Sequence, residues 1–446
     1  MSSESTTPPL DRTLNIKLST MMFLQYAIWG AWLPFLYSFL STHRGFTGAQ
    51  IGDMFAAGAI GAIIGPFIAG QVADRYFSTE KFLALSHFLG AVLIWQLSWI
   101  DSYGQFLAFS LVYGIVYAPT ISLTNSLSFH HLPDRDRDFG RVRMWGTFGW
   151  IAVGLAMGHW LAGQHMPADP NATTEVVTKA LAAGKADAFK LSALLGAAMG
   201  LFCLFLPHTP PSPKKDKNAF LGALSRVKYQ PLLTLFLLSV PISCIHQFYF
   251  VHTEAFLTAK QISAPEFFKT LFGAGGGGLM TVGQMSEVLI LGAITLIAKK
   301  TARKWLLTAG VIAYGLRMVL FAYVDQIPLP TMATLLTGIA LHGFCFGCFI
   351  FVAYMVVDEE TPDDVRASAQ NLVTLVIIGI GIIVGSKIAG EVSDWATVNG
   401  TLDYTKLFSI PMWASFACLG LLLLFYPSRS PAALEDAQGE SGADDD

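Results

Sequence analysis

Charge is what this sequence has least of. Asp, Glu, Lys and Arg together make up 13% of its residues, against roughly a quarter in a typical soluble domain. So few charges cannot cover the apolar surface of 446 residues. An ordinary soluble enzyme is therefore excluded, and the solvent this chain requires is a bilayer. Cysteine is scarce as well. The five (Cys203, Cys244, Cys345, Cys348 and Cys418) all lie inside apolar runs, not in the polar, loop-rich settings of secreted disulfide scaffolds. Cys345 and Cys348 have CxxC spacing, but no second pair completes a zinc set, so they read as small core residues. A net charge of −3 gives no field that would draw nucleic acid. No cofactor or metal is expected, and no nucleic-acid partner. Nor is a removable leader expected. Residues 1–16 are mostly polar, and the next apolar run, 17–40, is long enough to span a membrane.

What the chain has in excess is apolar length. Hydrophobic residues reach 53%, mean hydropathy is +0.52, and there are 33 Phe and 10 Trp, which suit lipid-facing and interfacial positions. A spanning helix needs roughly 20 mostly apolar residues. Runs of that kind lie near 17–40, 50–71, 82–100, 105–125, 143–162 and 187–206. A second set lies near 231–252, 279–298, 305–324, 331–355, 368–390 and 406–426. The predicted fold is all-α and integral to the membrane. A cytoplasmic segment 1–16 leads into an N-terminal six-helix half, 17–206. A Pro- and Lys-rich cytoplasmic linker, 207–230, precedes a C-terminal six-helix half, 231–427, and an acidic tail, 428–446, predicted to be disordered. Lys and Arg crowd the connections on the N-terminal side (Arg135, Arg137, Arg141, Lys214, Lys215, Lys217, Lys300 and Arg303 among them). The opposite side has fewer, Lys185 and Lys260 included. By the positive-inside bias both termini are cytoplasmic. Two six-helix halves joined by a basic loop are the layout of a major facilitator, and a monomer is expected.

Small residues recur at helix-packing spacing: Gly61-x3-Gly65, Gly154-x3-Gly158 and Gly381-x3-Gly385. In lipid such pairs let helices approach closely; some could also line sliding contacts. After the second run comes Gly70-Gln71-Val72-Ala73-Asp74-Arg75, similar to the G-x3-D-[RK] loop of major facilitators. There Asp74 and Arg75 are expected to latch one end state.

Ionisable and polar residues at membrane depth are costly and mark a pathway or a partnered pair. Glu287 is the foremost case, in Gln284-Met285-Ser286-Glu287 of the eighth run. Gln284 lies one turn earlier on the same face. The pair can accept from substrate hydroxyls or bind a transported proton; a Glu satisfied by a neighbouring helix is the plainer alternative. Arg143, Thr147 and Trp150 follow i, i+4, i+7 spacing on the fifth run, a set that suits a planar, hydroxylated ligand. Arg143 could equally snorkel to the interface. Gln247 on the seventh run can serve a ligand or a neighbouring helix. Arg317 is expected to snorkel toward Asp325. His342 is either a proton carrier, having a pKa near neutrality, or a satisfied core histidine. The glycine run 273–278 precedes a helix without a strand before it, so it reads as a flexible external loop and not a phosphate cradle. Asn171-Ala172-Thr173 is a formal glycosylation sequon.

Four segments together carry a closer resemblance. They are Phe23-Leu24-Gln25-Tyr26-Ala27-Ile28-Trp29-Gly30-Ala31-Trp32-Leu33, Arg143-Met144-Trp145-Gly146-Thr147, Gln284-Met285-Ser286-Glu287 and Arg366-Ala367-Ser368-Ala369-Gln370. From about Asn15 to Tyr426 the chain resembles the nucleoside:proton symporters of the major facilitator superfamily. The resemblance implies a substrate pocket of Arg143, Thr147, Trp150, Gln247, Gln284, Glu287 and Phe346. In it, ribose hydroxyls bond the carboxylate and amides while the base stacks on rings. Three positions depart from the family. Its seventh-helix Asn falls at Phe250, His342 replaces a Tyr, and the Asp expected after the tenth-helix aromatic is Gly347.

The expected function is nucleoside import with protons by alternating access in a bacterial inner membrane, with Glu287 as the coupling group. Gly347 favours the alternative of a sugar or modified-nucleoside carrier working by symport or facilitated diffusion. A transporter-like receptor signalling through the acidic tail is a reading of another class. No nucleophile–base pair or metal set at membrane depth supports an enzyme.

Overall fold

A computed structural model of the chain describes residues 8–76, 78–169, 171–210, 224, 226–261, 264–298 and 300–428. Among them are twelve long helical segments, one over each apolar run. The first six are Arg12–Trp32, Gly48–Tyr76, Thr79–Leu97, Tyr103–His131, Arg135–Gln164 and Ala186–Cys203. The seventh to ninth are Leu232–Gln261, Gly276–Ile297 and Arg303–Ala322. The tenth starts as Thr331–Phe344 and ends as Val352–Glu359, with a π-helical turn at Cys345–Phe351 between. The eleventh likewise joins Asp363–Thr374 to Ile382–Ala396 through a π-helical turn at Leu375–Gly381. Tyr404–Phe425 is the twelfth.

Short polar residues start these helices as their chemistry dictates. Asp11 accepts from the Leu14 N–H at 2.9 Å, Asp134 from Arg137 at 3.0 Å, and Asp403 from Lys406 at 3.1 Å. The sequon's Thr173 caps a short helix, Thr174–Gly184. Before Asp403, a two-residue ladder pairs Thr397–Val398 with Thr401–Leu402. Asn399 and Gly400 turn it with φ of 51° and 76°, the left-handed pair a tight hairpin requires.

The polarity of the molecule is that of a protein in lipid. Leu289 is 72% exposed and Leu424 78%, whereas Lys185 and Arg317 are buried. Eight helical stretches of the described residues are long and apolar enough, by length and composition alone, to cross a membrane. All five cysteines are free and buried, as core residues should be.

The chain forms two compact units. One comprises Met1–Lys214 and Phe250–Thr281, the other Lys215–Tyr249 and Val282–Asp446. In the first unit the second and fourth helices touch where Gly61 meets the Gly114 backbone, and Gly158 lies on the Phe272 carbonyl. In the second, Gly385 lies on the Cys244 backbone. A Cβ at any of these would collide with main chain, so the glycine spacing does report close helix packing.

The glycine run is not a flexible loop. Gly273 and Gly275, with φ of 72° and 80°, make the turn, and Gly276 opens the eighth helix. Ala274 donates to the Gly158 carbonyl at 2.8 Å, and Gly278 is pressed against Phe272. Asp74 and Arg75 lie on the last turns of the second helix; their side chains fall outside the described residues. So do most of the linker, 211–223, and the tail from 429 on.

Candidate transport site

The expected site residues are divided between the two units, and each set is held by its own neighbours. In the first unit the fifth helix lies on the first. Gly149 is pressed against the Phe23 carbonyl, and Gly30 faces the Trp150 ring, where a Cβ would come within 2.8 Å. Trp150 meets Trp29 edge-on at 5.7 Å and Phe250 edge-on at 6.4 Å. Phe250, one of the departures, is thus part of an aromatic cluster built on Trp150.

Arg143 does not snorkel freely. Its guanidinium carbon lies 3.9 Å from the Tyr26 ring centroid, a cation–π contact. Gly146 makes room for it, since a Cβ there would lie 2.5 Å from that ring and 2.9 Å from Arg143 Nη1. Arg143 has no carboxylate partner among the described residues. Arg143, Thr147 and Trp150 are each half-buried on one helix face. The arrangement offers guanidinium donors, a hydroxyl and an aromatic surface. Tyr26 and Trp29 were not singled out as site residues. Their signal was an i, i+3 aromatic pair flanked by the only glycine of that helix.

In the second unit Gln247 and Gln284 are buried, at 4% and 6% exposure, and Gln284 Oε1 has no hydrogen-bond partner among the described residues. An orphaned buried acceptor next to a carboxylate is what a ligand donor would satisfy. Glu287 is half-buried, and its Oε2 lies 3.5 Å from His342 Nε2. His342 stacks on Tyr249, at 4.6 Å and 18°, and on His246, at 5.4 Å and 25°. Its Nδ1 lies 3.2 Å from Arg317 Nη1. The expectation that Arg317 snorkels toward Asp325 is wrong: Arg317 is fully buried. Asp325, two turns on, suggested an exit; the imidazole and two tyrosine rings inside the bundle hold the guanidinium instead. Its carbon lies 4.4 Å from the Tyr249 ring centroid and 5.2 Å from that of Tyr314.

Phe346 is half-buried in the π-helical turn of the tenth helix, a distortion frequent at functional sites. Gly347 beside it faces the eighth helix, where a Cβ would come 2.7 Å from Ile290 Cγ2. A carboxylate at this position would have to displace Ile290. We expect Gly347→Asp to lower stability by about 1–3 kcal/mol through overpacking, read as a lower unfolding temperature with no gain in transport.

The first unit also holds a charged pair that no local spacing announces. Lys185, counted as an external loop charge, is buried, and its Nζ lies 2.9 Å from Glu254 Oε1. It donates to Ser38 Oγ at 2.7 Å, and Ser38 donates to Glu254 Oε2 at 2.5 Å. Thr258 donates to Oε1 at 2.7 Å, and the Gly276 N–H lies 3.2 Å from it. The seventh helix runs well past residue 252 to Gln261, which puts Glu254 inside it. No group of three or more His, Cys, Asp or Glu among the described residues could hold a metal.

Helices with an apolar exterior and partnered ionisable groups at depth are those of a multi-pass membrane protein. Comparison with known proteins narrows the class. A family model for nucleoside H+ symporters matches residues 12–430, and the chain belongs to that family, whose members carry nucleosides across membranes together with protons. It is 35% identical over 378 residues to a putative nucleoside transporter, YegT, of Escherichia coli K12, covering 84% of this chain and 83% of that one. It is 27% identical to the nucleoside permease NupG of the same organism, over 92% and 94% of the two chains. A crystal structure of NupG superposes with a TM-score of 0.78 over 92% of this chain and 98% of that one, at 26% identity. The major facilitator fold expected from the twelve runs is thereby shown.

Proposed function

We propose that Arg143, Thr147, Trp150, Gln247, Gln284, Glu287 and Phe346 bind the transported nucleoside, and that Glu287 carries the coupled proton. One observation carries this reading. In the eighth helix a half-buried carboxylate faces an imidazole, one turn from a buried amide oxygen with no hydrogen-bond partner among the described residues. Such a pair can accept two ribose hydroxyls, and the carboxylate is the member able to exchange a proton. Trp150 and Phe346 supply faces for the base, and Arg143 and Thr147 supply donors for its carbonyl edge.

The surrounding assignments are part of the same proposal. Both termini are cytoplasmic by the Lys and Arg bias, the membrane is the bacterial inner membrane, and the protein works as a monomer without nucleic acid. The relatives above, together with a xanthosine permease of Escherichia coli 28% identical over 93% of this chain, support ribonucleosides as the cargo.

The test is uptake of labelled uridine, adenosine and xanthosine into proteoliposomes under an imposed pH gradient. Saturable uptake of at least one is expected; none at all contradicts the substrate assignment. Trp150→Ala should weaken nucleoside binding about tenfold, the loss of one base-stacking surface. A thermal-shift titration measures it, because a ligand bound only by the folded state raises the unfolding temperature.

A further inference from the structure

Among the described residues Arg317, buried in the ninth helix, has no direct carboxylate contact, and its Nε and Nη2 have no hydrogen-bond partner. Such a group is costly inside a membrane and is kept for a function. The neighbour it hydrogen-bonds, His342, identifies that function.

A guanidinium has donors only. The His342 Nδ1 that lies 3.2 Å from Arg317 Nη1 must therefore be the acceptor. That leaves the imidazole proton on Nε2, the atom 3.5 Å from Glu287 Oε2. A second proton on His342 would set an N–H against an N–H of a permanent cation. His342 is accordingly held as one neutral tautomer, with its donor turned to the carboxylate. Tyr249 and His246 stack on the ring and support this orientation. Tyr314 in turn holds His246 by a 2.7 Å hydrogen bond. Around Glu287 and His342 lie His246 and Tyr249 of the seventh helix, Tyr314 and Arg317 of the ninth and Cys345 of the tenth.

We propose that Arg317 is a positioning residue for proton coupling, fixing His342 as the Nε2–H donor that stabilises Glu287 each time its proton leaves. An ionised carboxylate at membrane depth needs such a donor, and Gly347, packed on Ile290, supplies nothing in its place. His342 then orients without carrying the proton. The proposal rests on Glu287 being the coupling group.

Two assays separate the possibilities: accumulation driven by a pH gradient, which needs proton turnover, and nucleoside exchange without a gradient, which needs only binding and alternation. Arg317→Met and His342→Leu are expected to lose gradient-driven accumulation about tenfold while retaining exchange. A structural role alone would lower both. His342→Gln is the deciding variant, since its amide can accept from Arg317 and donate to Glu287 but cannot titrate. It should accumulate like the wild type.

Should Arg317→Met fail to fold, the two His342 variants read the same geometry. Normal accumulation by folded Arg317→Met or by His342→Leu overturns the proposal. So does a His342→Gln as uncoupled as Glu287→Gln, which would make the imidazole the carrier. Normal accumulation by Glu287→Gln removes the coupling group itself, a different failure, and this proposal with it.

Discussion

Glu287→Gln should abolish gradient-driven accumulation of nucleoside while leaving exchange measurable. The amide keeps the size of the side chain and can still accept from a ribose hydroxyl, but it has no proton to give up. The magnitude follows from the gradient. One pH unit is worth about 1.4 kcal/mol per proton, which concentrates a solute coupled one to one about tenfold. The wild type should approach that ratio inside proteoliposomes, and the variant should stop at equal concentrations. Buried Gln284, one turn away, gives the control. Gln284→Ala should raise KM and leave the limiting accumulation ratio unchanged, since an amide binds substrate but does not set stoichiometry.

The second large effect concerns stability. Lys185→Met leaves the Glu254 carboxyl fully buried and short of its cation. Removing one partner of such a pair costs about 3–5 kcal/mol, a large part of the 5–15 kcal/mol by which most proteins are stable. The sharper expectation is the double variant. Lys185→Met with Glu254→Gln buries no net charge and leaves an amide where Thr258 and the Gly276 N–H already converge. It should recover more than half of the loss, a non-additivity that contacting residues show. Unfolding temperatures of purified protein in detergent measure both. A single variant as stable as the wild type would show that the pair is not held as described.

These two residues also mark where the sequence was legible and where it was not. The twelve helices could be read from apolar length because lipid forces each span to be long and hydrophobic. Arg143, Gln284 and Glu287 stood out because a polar group in an apolar run has few innocent explanations. Lys185 and Glu254 lie 69 positions apart (254 − 185), and each sits near an expected span end, where charges are ordinary. Only tertiary packing reveals that they meet. Arg317 was misread for a related reason. An Arg two turns from a carboxylate suggests an exit, but His342, Tyr249 and Tyr314 come from other helices and no local spacing announces them. The glycine run misled in the opposite direction. Composition suggested looseness, while positive φ at Gly273 and Gly275 and close approach at Gly278 make it a tight entry to the eighth helix.

The departure at Gly347 looks different beside its neighbours. Ile290 occupies the space a side chain there would need, so the eighth and tenth helices are fitted to each other without that carboxylate. Ionisable chemistry in the second unit then gathers at Glu287, His342 and Arg317. That concentration on one carboxylate makes the account easy to test.

The most direct test runs the coupling backwards. Proteoliposomes holding a pH-sensitive dye, with no initial gradient, receive nucleoside on the outside only, and the internal pH is followed. Nucleoside entering with protons through Glu287 predicts internal acidification with the wild type and none with Glu287→Gln. Nucleoside entry with no change of internal pH in the wild type, or equal acidification by both proteins, would contradict it.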